Sequence, residues 1–94
     1  MAAVTPVQGL NVTVPTGGTA VPVFPTAING GVIVNPYSAS EVLYVDAVNA
    51  ATLVGTATTF ALQPGQSWAG IPGQTTVTTV NAATNGHAFS AIYW

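Results

Sequence analysis

The amino-acid sequence predicts an all-β fold: one small antiparallel β-sandwich over residues 1–94, built from about eight short strands in a Greek-key or jelly-roll order. Three observations predict it. Valine and threonine, at 14 residues each, dominate a chain nearly empty of the helix formers Glu, Lys, Arg and Met, and branched side chains favour a pleated, half-buried surface. Apolar and polar residues alternate with period two in several short stretches. Gly, Pro and Asn punctuate these stretches at intervals of roughly ten residues, the spacing of a sandwich or barrel. A closed barrel is the alternative architecture that the same pattern admits.

The elements follow in order. Leu10, Val12 and Val14 share one face of the first strand, against Asn11 and Thr13, and Pro15-Thr16-Gly17-Gly18 turns the chain. Residues 19–24 form the next strand, which Pro22 confines to a sheet edge or a bulge because it has no N–H to donate. Residues 31–34 end at the Asn35-Pro36 breaker. In residues 42–46, Val42, Tyr44 and Asp46 alternate with Leu43 and Val45. The Ala-rich stretch 48–52 is too short and too rich in Asn to be a core helix, so it reads as loop leading to strand 58–62, where Phe60 and Leu62 share a face. Gln63-Pro64-Gly65-Gln66 carries the signature of a type II turn, with Pro fixing one φ and Gly supplying the positive one, and makes a hairpin-like corner into residues 67–71. Pro72-Gly73 breaks the chain again, and residues 76–80 and 87–94 complete the strands around a second Asn-flanked loop at 81–84.

Charge narrows the function classes. Charged residues make up 2% of the chain, against roughly 25% in ordinary domains, with no Lys or Arg and a formal charge of −2. Binding to nucleic acid or to an anionic membrane surface requires cationic side chains, so neither partner is expected. Leu, Ile, Val and Phe number 25 of 94 residues, about 27%, enough to bury a core. No apolar run approaches the roughly 18 residues of a spanning helix, and residues 1–6 lack the basic and apolar regions of a secretory signal, so export by that route is not expected. Cysteine is absent, which removes disulfides and thiolate chemistry. With no Lys to blunt its sheet edges, the chain is expected to cover them with neighbouring subunits, as a homo-oligomer or a shell-bound protein.

Candidate chemistry is sparse, and neither catalysis nor a cofactor is expected. Glu41 and Asp46 are five apart, an odd spacing that puts them on opposite faces of an extended segment and disfavours a shared acid–base site. Ser67 or Ser90 with His87 and Asp46 would make a triad by residue type alone, without a nucleophile elbow. One chain has too few ligands for zinc, although three His87 side chains around a trimer axis would supply them. The simpler role for His87, in Asn85-Gly86-His87, is a turn or strand start bonded to backbone, and for Asp46 an Asx cap of the turn that follows it. Tyr37, Tyr44, Trp68, Tyr93 and Trp94 are able to stack on sugar rings or to pack in the core. Trp68, between two Pro-Gly corners, is the foremost ligand candidate, and Tyr93-Trp94 docks into the fold or onto a neighbour. Together with His87 these three aromatics are the candidate ligand or subunit contacts.

The runs Gly30-Gly31-Val32-Ile33-Val34-Asn35-Pro36, Leu43-Tyr44-Val45-Asp46, Thr59-Phe60-Ala61-Leu62-Gln63-Pro64-Gly65-Gln66-Ser67-Trp68 and Val80-Asn81-Ala82-Ala83-Thr84-Asn85-Gly86-His87-Ala88-Phe89 resemble small β-sandwich structural proteins of tailed bacteriophage virions. The resemblance implies a capsid decoration or cement subunit, or part of a head or tail fibre, commonly trimeric. Such a subunit is made in the host cytoplasm and carried on the capsid surface, with the major capsid protein or other virion proteins as partners. It implies no site residues. Two other classes fit the same sequence: a carbohydrate-binding module or fibre-tip domain that binds host glycans through Trp68 and neighbouring tyrosines, and a bacterial surface-layer or fibre subunit, which the missing export signal disfavours.

Overall fold

The computed structural model describes residues 5–94; residues 1–4, which carry much of the expectation about an export signal, lie outside the described residues. Among the described residues ten short strands form, all paired antiparallel: β1 (Val7–Gln8), β2 (Thr13–Val14), β3 (Val21–Phe24), β4 (Gly31–Val34), β5 (Leu43–Asp46), β6 (Thr59–Leu62), β7 (Ser67–Ala69), β8 (Thr78–Asn81), β9 (His87–Ala88) and β10 (Ser90–Tyr93). They assemble into one sheet ordered β1-β10-β4-β7, a second ordered β3-β8-β5-β6, and the pair β2-β9.

The pair β2-β9 continues the first sheet. Val7 pairs with Tyr93 and Gln8 with Ile92, the Gly9 N–H donates to Ala91 O, the Phe89 N–H donates to Val12 O, and Thr13 and Val14 pair with Ala88 and His87. This is one long ladder with one extra residue at Leu10-Asn11, a bulge on the first strand. Counting β1 with β2 and β9 with β10 leaves eight strands, ordered 1-8-3-6 and 2-7-4-5 in two facing sheets. That is the order of a jelly roll, so the sandwich expected from the sequence stands and the closed barrel does not.

The bulge corrects one expectation. The extra residue reverses the alternation, so Leu10 does not share the face of Val12 and Val14: it is 52% exposed while Val14 is fully buried. In exchange, the displaced segment guards the neighbouring edge. The Leu10 N–H donates to Val23 O at 2.9 Å and Asn11 Nδ2 donates to Pro22 O at 2.9 Å, covering acceptors of edge strand β3. Pro22 sits on that edge beside a second bulge, which turns both Val23 and Phe24 into the core.

The core lies between the sheets. From the first come Ile33, Ala91 and Phe89, from the second Leu43, Val45 and Val80, together with the fully buried Phe24 of edge strand β3. Each fully buried large side chain contributes about 1.5–3 kcal/mol of transfer free energy. The Gln63–Gln66 turn forms as expected, with Gly65 at φ 90° and the Gln66 N–H donating to Gln63 O at 2.9 Å. It is a corner between sheets rather than a hairpin, because β6 pairs with β5 while β7 pairs with β4. Registers place loops 15–20, 35–42, 63–66 and 82–86 at one end of the sandwich. The long loop 47–58 leaves from the other end and folds back over the outer face of β8, where the Ala51 N–H donates to Thr79 Oγ1 at 2.9 Å and Asn81 Nδ2 donates to Ala51 O at 2.9 Å.

Candidate functional site

The four-loop end is organised by Asn35, which continues β4 and is fully buried. Its amide nitrogen donates to Leu62 O at 2.8 Å, reaching the opposite sheet, and to Glu41 O at 2.9 Å, closing its own loop. With both amide hydrogens committed to carbonyls, Oδ1 faces Nε2 of His87 at 2.9 Å, and the ring therefore donates from Nε2. The main chain of Asn35 bonds the corner as well, its N–H donating to Gln66 O at 3.0 Å and its carbonyl accepting from the Gly65 N–H at 2.6 Å. One side chain and its backbone thus tie two loops, the end of β6 and the start of β9 together, and no polar atom of the amide is left without a partner.

Between loops 35–42 and 82–86 lies an open cleft of about 280 Å³, lined by Pro36, Ser38, Ser40 and Glu41 on one wall and by Thr84, Asn85 and His87 on the other. The Thr84 hydroxyl donates to Glu41 Oε1 across it. Loop 82–86 is itself anchored to loop 15–20: Asn85 Oδ1 accepts from the Gly17 N–H at 2.7 Å, the Gly18 N–H donates to Ala82 O at 2.9 Å, and the Gly86 N–H donates to Val14 O at 2.7 Å. Tyr37, between two lining residues, is 90% exposed, yet one side of its ring rests on Gly65, where an added Cβ would come within 2.8 Å of it.

The residues singled out from the sequence are distributed unevenly. His87 is at the start of β9, as its turn context suggests, but its partner is the Asn35 side chain rather than backbone. Trp68, on β7, packs inward and stacks on Phe24 with centroids 6.5 Å apart, so it is half-buried core rather than an open platform. Tyr93 packs on the same ring at 5.8 Å. Trp94 docks on loop 25–30: its main-chain oxygen accepts from the Asn29 and Gly30 N–H groups at 2.7 and 3.2 Å, and its indole lies against Gly30. Glu41 and His87 meet in the cleft, whereas Asp46 is at the far end of β5, its Oδ1 accepting from the Val48 and Asn49 N–H groups and its Oδ2 from the Thr58 and Thr59 hydroxyls, all within 2.8 Å. The Ser-His-Asp combination is therefore not assembled, and Ser67 and Ser90 lie exposed on β7 and β10. Sequence reasoning took Asn35 only as part of a strand-ending breaker and missed its side-chain role, and it named Tyr37 only as one of five aromatics. An Asn-Pro breaker at a strand end was the available signal.

A second feature lies on the side of the sandwich where β6 and β7 are the sheet edges. Phe60 pairs with Val45, and Trp68 with Ile33, so both aromatics point toward the interior layer from the two edge strands. Trp68 is covered, but Phe60 remains 51% exposed. The Thr59 N–H and C=O are taken by Thr56, at 2.9 and 3.2 Å, which marks Thr59 as outward-facing in the ladder. By alternation the N–H and C=O of Ala61 face the same open side. No protein-family model, curated protein or solved structure matches the chain.

Proposed function

We propose that this chain is a non-enzymatic structural subunit of a tailed-bacteriophage virion, a capsid decoration or cement protein that assembles with copies of itself and with the major capsid protein on the shell surface. The observation that carries the reading is the unguarded β6 edge. Edge β3 is blocked by Pro22 and covered by Leu10 and Asn11, the edge of the first strand is broken by the Leu10-Asn11 bulge into the two-residue pieces β1 and β2, and edge strand β7 is three residues long. Only short, blocked or covered edges resist pairing with other chains, and β6 has none of these protections along Phe60-Ala61. It carries no charge and presents a half-exposed aromatic ring beside unpaired main-chain groups. The jelly roll adds support by analogy of fold alone, since shell proteins are among the many proteins that use it.

The test has two parts. Sedimentation of the purified chain across a wide concentration range is expected to give an oligomer, with a trimer favoured, and Phe60→Lys is expected to shift it to monomer with its β-sheet spectrum intact. Virions of the encoding phage, digested with chymotrypsin because the chain has no Lys or Arg for trypsin to cut, are expected to yield its peptides. A chain that stays monomeric throughout and is absent from such virions overturns the proposal.

A further inference from the structure

We propose that Asn29 is a site of self-modification: its side chain cyclises with the main-chain nitrogen of Gly30, loses ammonia and opens to aspartate or isoaspartate, which loosens the grip of loop 25–30 on Trp94. The inference goes beyond the virion reading and rests on no part of it.

Two asparagines of the chain precede glycine, in Asn29-Gly30 and Asn85-Gly86. Glycine has no Cβ to hinder the approach of its nitrogen to the asparagine Cγ, so both dipeptides have the composition for ring closure. The step balances without an added reagent. The Gly30 N–H gives its proton to solvent, the nitrogen bonds to Asn29 Cγ, the Cγ–Nδ2 bond breaks, and Nδ2 departs as ammonia with a proton taken from water. One water molecule then opens the cyclic imide at either carbonyl. The product is aspartate, or isoaspartate with the main chain rerouted through Cγ.

Hydrogen bonding separates the two sites, whereas exposure does not, since both asparagines face solvent. At the second site both reacting groups are held. Asn85 Oδ1 accepts from the Gly17 N–H at 2.7 Å, and the Gly86 N–H donates at 2.7 Å to the main-chain oxygen of Val14, a fully buried strand residue. Ring closure there has to break two short bonds. At the first site no described residue holds the Asn29 side chain, and the Gly30 N–H donates only to Trp94 O, at 3.2 Å, an oxygen already engaged at 2.7 Å by the Asn29 N–H. Trp94 itself is half-buried and lies beyond the last ladder pair of β10, Tyr93 with Gly31. Segments outside a ladder open at lower free energy than strands, so the Gly30 nitrogen is released more often than that of Gly86.

The product falls where the chain has little room for it. Three main-chain bonds clasp Trp94 to loop 25–30: the two just given and the Trp94 N–H donating to Gly30 O at 3.0 Å. Isoaspartate lengthens the main chain by one carbon inside this clasp, where an added Cβ on Gly30 would come within 2.8 Å of the indole. Either product adds a third acid to a chain that has two and no Lys or Arg to offset them.

The test ages the full ¹⁵N-labelled chain at mildly alkaline pH, native and in concentrated urea. Chymotryptic peptides fragmented by electron transfer then place each gain of about 1 Da and distinguish isoaspartate from aspartate. In urea the two sites are expected to react at similar rates, and in the native chain Asn29 is expected to react about tenfold or more faster than Asn85. Native Asn29→Gln is expected to lose the fast gain, while Asn85→Gln ages as the parent does. In the modified chain the Trp94 amide is expected to exchange with deuterium about tenfold or more faster than in the fresh chain. A native Asn85 that reacts as fast as Asn29, or a native Asn29 that gains no mass while both sites react in urea, overturns the proposal. Unchanged exchange at Trp94 in the modified chain overturns the loosening.

Discussion

At the scale of single residues, Asp46 carries a charge where only 1% of its surface meets water. Burial by itself pushes the carboxyl pKa up, but the N–H groups of Asn49 and Val48 and the hydroxyls of Thr59 and Thr58 outweigh it and hold the group below its ordinary value. The folded chain therefore keeps the carboxylate charged at a pH where the unfolded chain has begun to take up a proton. The resulting stability is present in full above the unfolded value, about 3.9, and is lost as the pH falls from there through the lower folded value. Asp46→Asn places an amide donor among four donors. It is expected to cost about 2–4 kcal/mol at neutral pH and to flatten the thermal midpoint between about pH 2 and pH 5, which a calorimetric pH series measures. The Asx role of Asp46 was legible in the sequence because its main-chain partners are two and three residues away. Asn35 was not, because its side-chain partners are 6, 27 and 52 residues away and no local pattern joins them.

At the scale of elements, strand centres and turns were legible because alternation and Pro-Gly chemistry are local. Bulges were not. One extra residue at Leu10-Asn11 leaves the composition of the strand unchanged while reversing which side chains face the core. Sheet membership was equally hidden, since the corner 63–66 has the residues of a hairpin turn and only long-range pairing sends β7 to β4. Phe60 and Leu62 do share a face, yet the same strand buries one and leaves the other half in water, because exposure at an edge depends on what lies beyond it. Loops divide in the same way. A Cβ on Gly17 would stand 2.3 Å from Ala83 O, where loops 15–20 and 82–86 touch, while one on Gly55 would meet nothing within 4 Å. Gly17→Ala is expected to lose about 1–3 kcal/mol. Gly55→Ala is expected to be neutral or to gain up to about 1 kcal/mol through the unfolded state, and urea denaturation of the two variants should move the midpoints in different directions or move only the first.

At the scale of the whole molecule, stability rests on burial and on hydrogen bonds, most of them between neutral groups. The chain has no Lys or Arg to pair with its two acids, so salt has almost nothing to screen. The unfolding midpoint is expected to move little between about 0.05 and 0.5 M NaCl and to rise in sulfate, which strengthens burial; a steep fall in NaCl would show that charge matters more than the sequence allows. The all-β class and the sandwich were legible from composition and spacing, whereas the strand order, and with it the loop end that gathers Glu41, His87 and Tyr37, depends on which ends of which strands meet. The strand order also sets a timetable for synthesis. β10 lies between β1 and β4, so the first sheet cannot close until residues 87–93 have been made. The β5-β6 pair is the most local in the second sheet and is available first, with β8 and β3 added across longer separations. Throughout that interval β1 and β4 wait without their shared partner. A nascent copy therefore exposes, on the ribosome, the same kind of open edge that the folded chain keeps at β6, and close spacing of ribosomes on one message turns the order of the sheet into a hazard of premature pairing between copies.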